Sequence, residues 1–315
     1  MKRYFKFLFV SMLVMSMQGC SKDLVITDEP NAPEENESVQ LRLTGNVAYM
    51  TPETRLGASG FNNNDPLGVY VSTKSDLQIS NNKADNKKFV YNESTGVIEA
   101  TSGNDIYWSS DSEKFNIYAY YPHVSNVTSA NAIPFSVKAN QSSDDNYYGS
   151  DFLRASVKNV EKTSEPIGMS FWHLMSKISI TLQLDKSFPE SEFTSEEKEF
   201  TIEGLITDCS VDLEKEQTNS PVTIGSTKTI IIANGSNKSY TVIVPPQNTN
   251  NVKFRLRVGD KYYSSTITSV SYLGGKVYNY DLFVKKSSGM SIESVSIKNW
   301  DNGNTYNGNM TQETN

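Results

Sequence analysis

From residue 38 onward the chain alternates apolar and polar positions. In Lys253–Val258, Phe254, Leu256 and Val258 share one face while Lys253, Arg255 and Arg257 share the other, the two-residue period of a half-buried strand. Phe115-Asn116-Ile117-Tyr118-Ala119 has the same period. The pattern predicts further strands at 39–45, 67–72, 87–91, 97–100, 106–109, 133–138 and 151–157. Later ones are expected at 177–184, 199–206, 209–213, 228–233, 239–245, 261–268 and 276–285, with a last strand carrying Ile292, Val295 and Ile297. Between them lie turn-forming clusters such as Asn62-Asn63-Asn64-Asp65-Pro66. Many short strands at this spacing predict an all-β protein built of β-sandwiches.

One stretch supports two periods. Phe171, Leu174, Met175 and Ile178 fall on a helical stripe, whereas Ile178, Ile180, Leu182 and Leu184 alternate strictly. Length and β-branching favour a strand over the second part, with a helical turn or bulge at 172–176. Just upstream, the polar run Lys158–Pro166 marks a domain boundary. The expected organisation is therefore a leader at 1–19, a linker at 20–37, an N-terminal sandwich at 38–166 and a C-terminal sandwich with a polar tail at 167–315.

The N-terminus sets an address. Lys2, Arg3 and Lys6 precede an apolar run from Phe7 to Met17, too short for a bilayer-spanning helix of about 20 residues and of the size of a signal-peptide core. Met17-Gln18-Gly19-Cys20 then resembles a bacterial lipobox, with Met where Leu is usual. Cys20 is thus the expected lipidation site, its thiolate taking a diacylglyceryl group before palmitate is added. The alternative is an ordinary secretory signal with an incidental Cys. Two or more acyl chains give stable anchoring, at roughly 0.8 kcal/mol per buried methylene. Ser21-Lys22-Asp23 partly resembles the acidic sorting signal of surface-exported Bacteroidetes lipoproteins. The Pro- and acid-rich segment Asp28–Glu37 reads as a linker off the outer membrane.

Composition narrows the chemistry. The 315 residues carry a formal net charge of −7, which argues against nucleic acid as a partner. Removing residues 1–19 leaves 26 basic against 36 acidic residues, a net charge of −10. Two His and two Cys, all distant in sequence, exclude most zinc sites and a disulfide scaffold. His123 and His173 lack a ligand partner at metal-binding spacing, and Cys209 in a strand reads as a small core residue. Asp144-Asp145 and Glu196-Glu197 read as solvated acid pairs. Tyr118-Ala119-Tyr120-Tyr121 fits either a sugar-stacking platform or core packing, and packing is favoured. No cofactor, metal site or catalytic set emerges, so the chain reads as non-enzymatic.

Several phrases together resemble the fimbrillin (Mfa-like) family of Bacteroidales surface lipoproteins, related to type V pili. They are Thr54-Arg55 followed by Phe61–Tyr70 (FNNNDPLGVY), Ile106-Tyr107-Trp108, and Phe115–Pro122 (FNIYAYYP). Asp151-Phe152-Leu153, Phe171–Lys177 (FWHLMSK), Val244-Pro245-Pro246-Gln247 and Ile297-Lys298-Asn299-Trp300 continue the series in the same order.

The resemblance implies two tandem transthyretin-like Greek-key β-sandwiches serving as a pilus subunit, tip or accessory component, or adhesin. It implies assembly by strand exchange: a protease cuts after an Arg, the first strand leaves, and another subunit adds a strand in its place. An open sheet edge lined by apolar pockets is a physical template for such addition. On this chain Val39, Leu41 and Leu43 would belong to the exchanged strand, and Arg55, in a polar segment, would be the cut site. Ile292, Val295 and Ile297 would belong to a donor strand, because the tail beyond Trp300 has few apolar residues; this favours a tip, accessory or terminating role over a stalk. The implied partners are other pilus subunits, the outer membrane through the lipid, and a host or bacterial surface ligand. The competing reading is a surface glycan-binding lipoprotein with no pilus role.

Overall fold

The computed structural model describes residues 38–47, 60–215, 221–232, 238–287 and 289–300, and the backbone of 305–306. The leader, Cys20, the linker and Arg55 lie outside the described residues, as does most of the tail.

The chain is all-β with two short helices among the described residues. Its first half supplies β1 (Leu43–Val47), β2 (Pro66–Ser72), β3 (Ala84–Asn92), β4 (Val97–Ala100), β5 (Phe115–Tyr121) and β6 (Ile133–Ser136). Helix α1 (Asp144–Tyr148), β7 (Leu153–Val160) and β8 (Ile167–His173) follow. Seven of these strands close on themselves in the order β1-β4-β3-β2-β5-β7-β8. Where a sandwich is expected, the strands close into a barrel, because β1 pairs antiparallel with β4 on one side and parallel with β8 on the other. Leu67, Val69, Phe89, Ile98, Ile117 and Phe171 fill its interior, so it is a packed core rather than a pore. Strand β8 had no place in the sequence pattern. It follows residue 166 but pairs with β1 and β7, so the N-terminal sheet continues to His173.

The second half supplies β9 (Ser176–Leu184), α2 (Glu190–Ser195), β10 (Lys198–Ile206), β11 (Asp208–Val211), β12 (Val222–Thr223) and β13 (Thr227–Ile232). It continues with β14 (Ser239–Val244), β15 (Gln247–Val258), β16 (Lys261–Tyr272), β17 (Lys276–Lys285), β18 (Gly289–Asn299) and the two-residue β19 (Thr305–Tyr306). A four-stranded sheet β13-β10-β15-β16 faces a five-stranded sheet β14-β9-β17-β18-β19. The alternating faces do what the sequence pattern requires. Ile178, Ile180 and Leu182 of β9, Phe254 and Leu256 of β15, and Tyr278, Tyr280 and Leu282 of β17 meet in one core.

The expected helical turn at 172–176 is absent. Strand β8 ends at His173, Leu174 and Met175 turn the chain, and β9 starts at Ser176. The helical spacing arises because both turn residues are buried in a third core. That core also takes Tyr70, Tyr118 and Tyr120 from the outside of the barrel, and Cys209, Ile243 and Trp300 from the second half. Strand β5 is therefore buried on both faces, with Ile117, Ala119 and Tyr121 in the barrel and Tyr118 and Tyr120 beneath it. The stacking-platform reading of 118–121 falls on this observation.

Polar links also join the halves. Strand β6 pairs with β11 in a small sheet with β12. Fully buried Gln141 donates to the Ile243 carbonyl (2.7 Å) and accepts from the Ile243 N–H (2.9 Å), so its amide and that backbone satisfy each other.

Candidate functional site

The barrel's seam is the arrangement that chemistry can use. Residues 39–47 alternate Val39, Leu41, Leu43, Gly45 and Val47 inward with Gln40, Arg42, Thr44 and Asn46 outward. Leu41 and Leu43 have no exposed surface. Val39 packs at the margin of the same core. The segment is sandwiched between two strands far from it in sequence. Its parallel register with β8 runs from Leu43 opposite Ile167 to Val47 opposite Phe171, and the Ile167 N–H donates to the Arg42 carbonyl at 3.0 Å. On the other side Leu43 pairs with Ile98 and Thr44 with Val97. Further up, the Leu41 N–H reaches the Ile106 carbonyl (2.8 Å) and the Trp108 N–H reaches the Val39 carbonyl (3.2 Å).

Outward groups set the register rather than the hold. Gln40 Nε2 donates to Asp105 Oδ1 (2.7 Å), Arg42 Nη2 to the Ser164 carbonyl (2.6 Å) and Thr44 Oγ1 to the Gly96 carbonyl (3.0 Å). Each such bond contributes about 1 kcal/mol net. Burying Leu41, Leu43 and Val47 contributes roughly 1.5–3 kcal/mol apiece, so apolar packing dominates. With 39–47 gone, β4 and β8 would be free edges and Ile98, Ile106, Trp108, Met169 and Phe171 would line the gap.

Ile292, Val295 and Ile297 lie elsewhere, on β18 in the five-stranded sheet, half-buried against the C-terminal core. They stand opposite Leu282, Tyr280 and Tyr278 of β17, with a bulge at Asp281–Leu282. On the other side, among the described residues, β19 pairs with Ile297 and Lys298. The fold does not bring the two expected strand-exchange segments together.

A group that sequence reasoning missed is the junction of Asp151, His173 and Trp300. Asp151 Oδ2 lies 2.8 Å from His173 Nδ1, and the imidazole stacks on the Trp300 indole at 4.1 Å between ring centres and 4° between planes. Both members of the pair are about 3% exposed and the ring face is covered, so the pair holds the junction and offers no place for a substrate. No spacing could have revealed it, since its members come from the segment after α1 and the ends of β8 and β18. Cys209 is buried as expected, and burial beside Asp208 pushes its thiol up to about 12, leaving it inert. Asp144 and Asp145 sit in the first turn of α1, while Glu197 pairs with Arg257 at 3.1 Å. Among the described residues no cluster of three or more His, Cys, Asp or Glu could hold a metal ion.

A hollow of about 430 Å³ lies on the outer face of the β10–β13–β15–β16 sheet, lined by Glu203, Thr227, Lys228, Asn251 and Lys253 among others. A smaller neighbour holds Tyr262, 58% exposed, with the Arg255 guanidinium 4.1 Å from its ring centre. This hollow contains a single large exposed aromatic side chain, not the paired platform that sugar stacking would use.

Comparison with known proteins gives this architecture its family. The sequence profile of the fimbrillin-like family matches residues 54–300. The chain belongs to the fimbrillin-like family. A curated relative from Bacteroides uniformis, named "Putative fimbrium subunit Fim1C", is 22% identical over 299 residues, covering 91% of this chain and 92% of its own. Two solved structures share the fold. A "putative cell adhesion protein" from Bacteroides uniformis is 20% identical with a TM-score of 0.65 and covers 84% of this chain and 99% of its own. One from Bacteroides ovatus is 19% identical with a TM-score of 0.65 and covers 84% of this chain and 98% of its own.

Proposed function

We propose that this fimbrillin-like protein is a cell-surface pilus subunit or adhesin that assembles by strand exchange, with residues 39–47 as the strand that is replaced. The observation that carries the reading is the seam: one segment, bonded to β4 and β8, closes an otherwise complete apolar barrel. Backbone bonds to the two edges would give an incoming strand affinity, and the pockets under Leu41, Leu43 and Val47 would give it specificity. The relative named as a fimbrium subunit supports the same role. Lipidation at Cys20, anchoring in the outer membrane and a cut after Arg55 belong to this proposal, as do a tip or accessory position and a surface ligand. So does a division into two transthyretin-like units near residues 158–166, with Ile167–His173 assigned to the first.

A lock tests it. Asn46 and Ser170 are paired across the seam and both point outward, so Asn46→Cys with Ser170→Cys places two thiols on neighbouring strands. Under oxidising conditions the locked protein should stay out of surface polymers, and reduction should restore incorporation. Equal incorporation with the bond closed would overturn the reading. N-terminal sequencing of surface-extracted protein checks the processing step: the expected new terminus is Leu56, and a chain still starting only at lipidated Cys20 rules out the cut.

A further inference from the structure

The seam strand leaves one inward place without a side chain. Its inward positions are Val39, Leu41, Leu43, Gly45 and Val47. A Cβ at residue 45 would stand 2.7 Å from Phe171 Cε2, 3.2 Å from Phe171 Cδ2 and 3.1 Å from Ile98 Cδ1. The two flanking strands thus reach across the gap and fill the place themselves, Phe171 from β8 and Ile98 from β4. Phe171 has no room to retreat. Its ring meets Phe61 edge-on at 5.0 Å, and Phe61 packs in turn against Tyr91 (5.7 Å) and Tyr121 (5.9 Å). All four rings belong to one close-packed core, where even a methyl group must displace a neighbour.

We infer that the seam selects its incoming strand by a glycine. The partner it fits is a strand with large apolar residues at three alternate positions, glycine at the fourth and an apolar residue at the fifth, the glycine lying over Phe171. This rests on the strand-exchange reading and narrows it. The chain's own C-terminal strand lacks the pattern. Met290 and Ile292 fall on one face of a strict alternation and Val295 and Ile297 on the other, so neither face gives three apolar residues followed by glycine, and Gly289, the single glycine of 289–300, has Ser287 and Ser291 two residues to either side. The incoming strand is therefore not β18 of another copy, and copies of this chain do not polymerise through that strand.

Peptide exchange tests the selection apart from the exchange itself. The full chain is given one specific protease site between residues 48 and 59, cut, and mixed with labelled peptides in mild denaturant; binding after its removal is read by fluorescence polarisation. The 38–48 peptide should bind, its Gly45→Val form at least about tenfold more weakly, and the 289–300 peptide weakly or not at all. Phe171→Ala in the acceptor, or Phe171→Leu if the first variant folds poorly, should restore the Gly45→Val peptide. If the 38–48 peptide fails to bind, strand exchange fails and the inference with it. If both forms of 38–48 bind alike, or the Phe171 variants bring no rescue, the glycine code is wrong while exchange stands. Binding of 289–300 as tight as that of 38–48 would overturn the exclusion of self-assembly.

Discussion

In the C-terminal sandwich, long strands join through tight local connections. β15 and β16 pair from Gln247–Tyr272 to Val258–Lys261 with two residues between them, and β17 and β18 pair from Lys276–Asn299 to Lys285–Gly289 with three. In the N-terminal barrel β1 has no such partner: Thr44 reaches Gly96 across 52 residues and Arg42 reaches Ser164 across 122. Both halves contain a parallel pair, yet β9 and β17 lie inside their sheet while β1 and β8 form the closure. A hairpin strand is kept near its place by a short loop, whereas β1 has only its long-range contacts to hold it. Two cores of like composition thus differ in which strand is separable.

The largest effects should set the halves apart. Phe254→Ala empties the centre of the sandwich and is expected to cost about 3–5 kcal/mol, lowering global stability in urea. Leu43→Ala should cost about 2–5 kcal/mol but act locally. Protease should then cut within 38–47 under conditions where the sandwich stays intact, and a loss confined to global unfolding would erase the contrast.

Gly68→Ala probes the barrel away from its seam. A Cβ there would lie 2.1 Å from Cε1 of Tyr120, whose hydroxyl is tied to Asn86 Oδ1 at 2.6 Å. The expected loss is about 1–3 kcal/mol in thermal or urea unfolding, with no release of 38–47.

The smallest effect concerns the link between the halves. Asp208 accepts from Ser136 and Lys228, and these partners hold its carboxyl below the usual aspartate range near 3.9. Such a group stabilises the fold above that range, and the benefit is lost as pH falls through the lowered value. Its side chain is more than a third exposed, so solvent screening keeps the contribution below about 1 kcal/mol. Urea midpoints at pH 5 and pH 3 should show the wild type losing slightly more than Asp208→Asn; identical losses would mean the link is indifferent to charge.

Much of this was legible in the residues. Alternation located β10, β15 and β17, because each has one face in a core and a more exposed face opposite. It failed where that condition failed. β5 is buried on both sides, so alternation favoured packing for Tyr118 and Tyr120 without revealing that they fill a second core outside the barrel. β8 was hidden by Leu174 and Met175, whose burial extends an apolar spacing past the strand end. Leu41 and Leu43 were readable as a strand, but its closing role depends on a register with Ile167–Phe171 that no local pattern encodes. The glycine at 45 could be read as a residue, and only Phe171 explains it.

The direction of the seam's bonds has a mechanical meaning. Residues 39–47 lie alongside β8 and β4, with hydrogen bonds crossing to both at an angle to the chain. A pull along this segment loads those bonds together, in shear, and does not peel them one by one. The seam is therefore strong along its length and weak to a force that lifts the segment sideways.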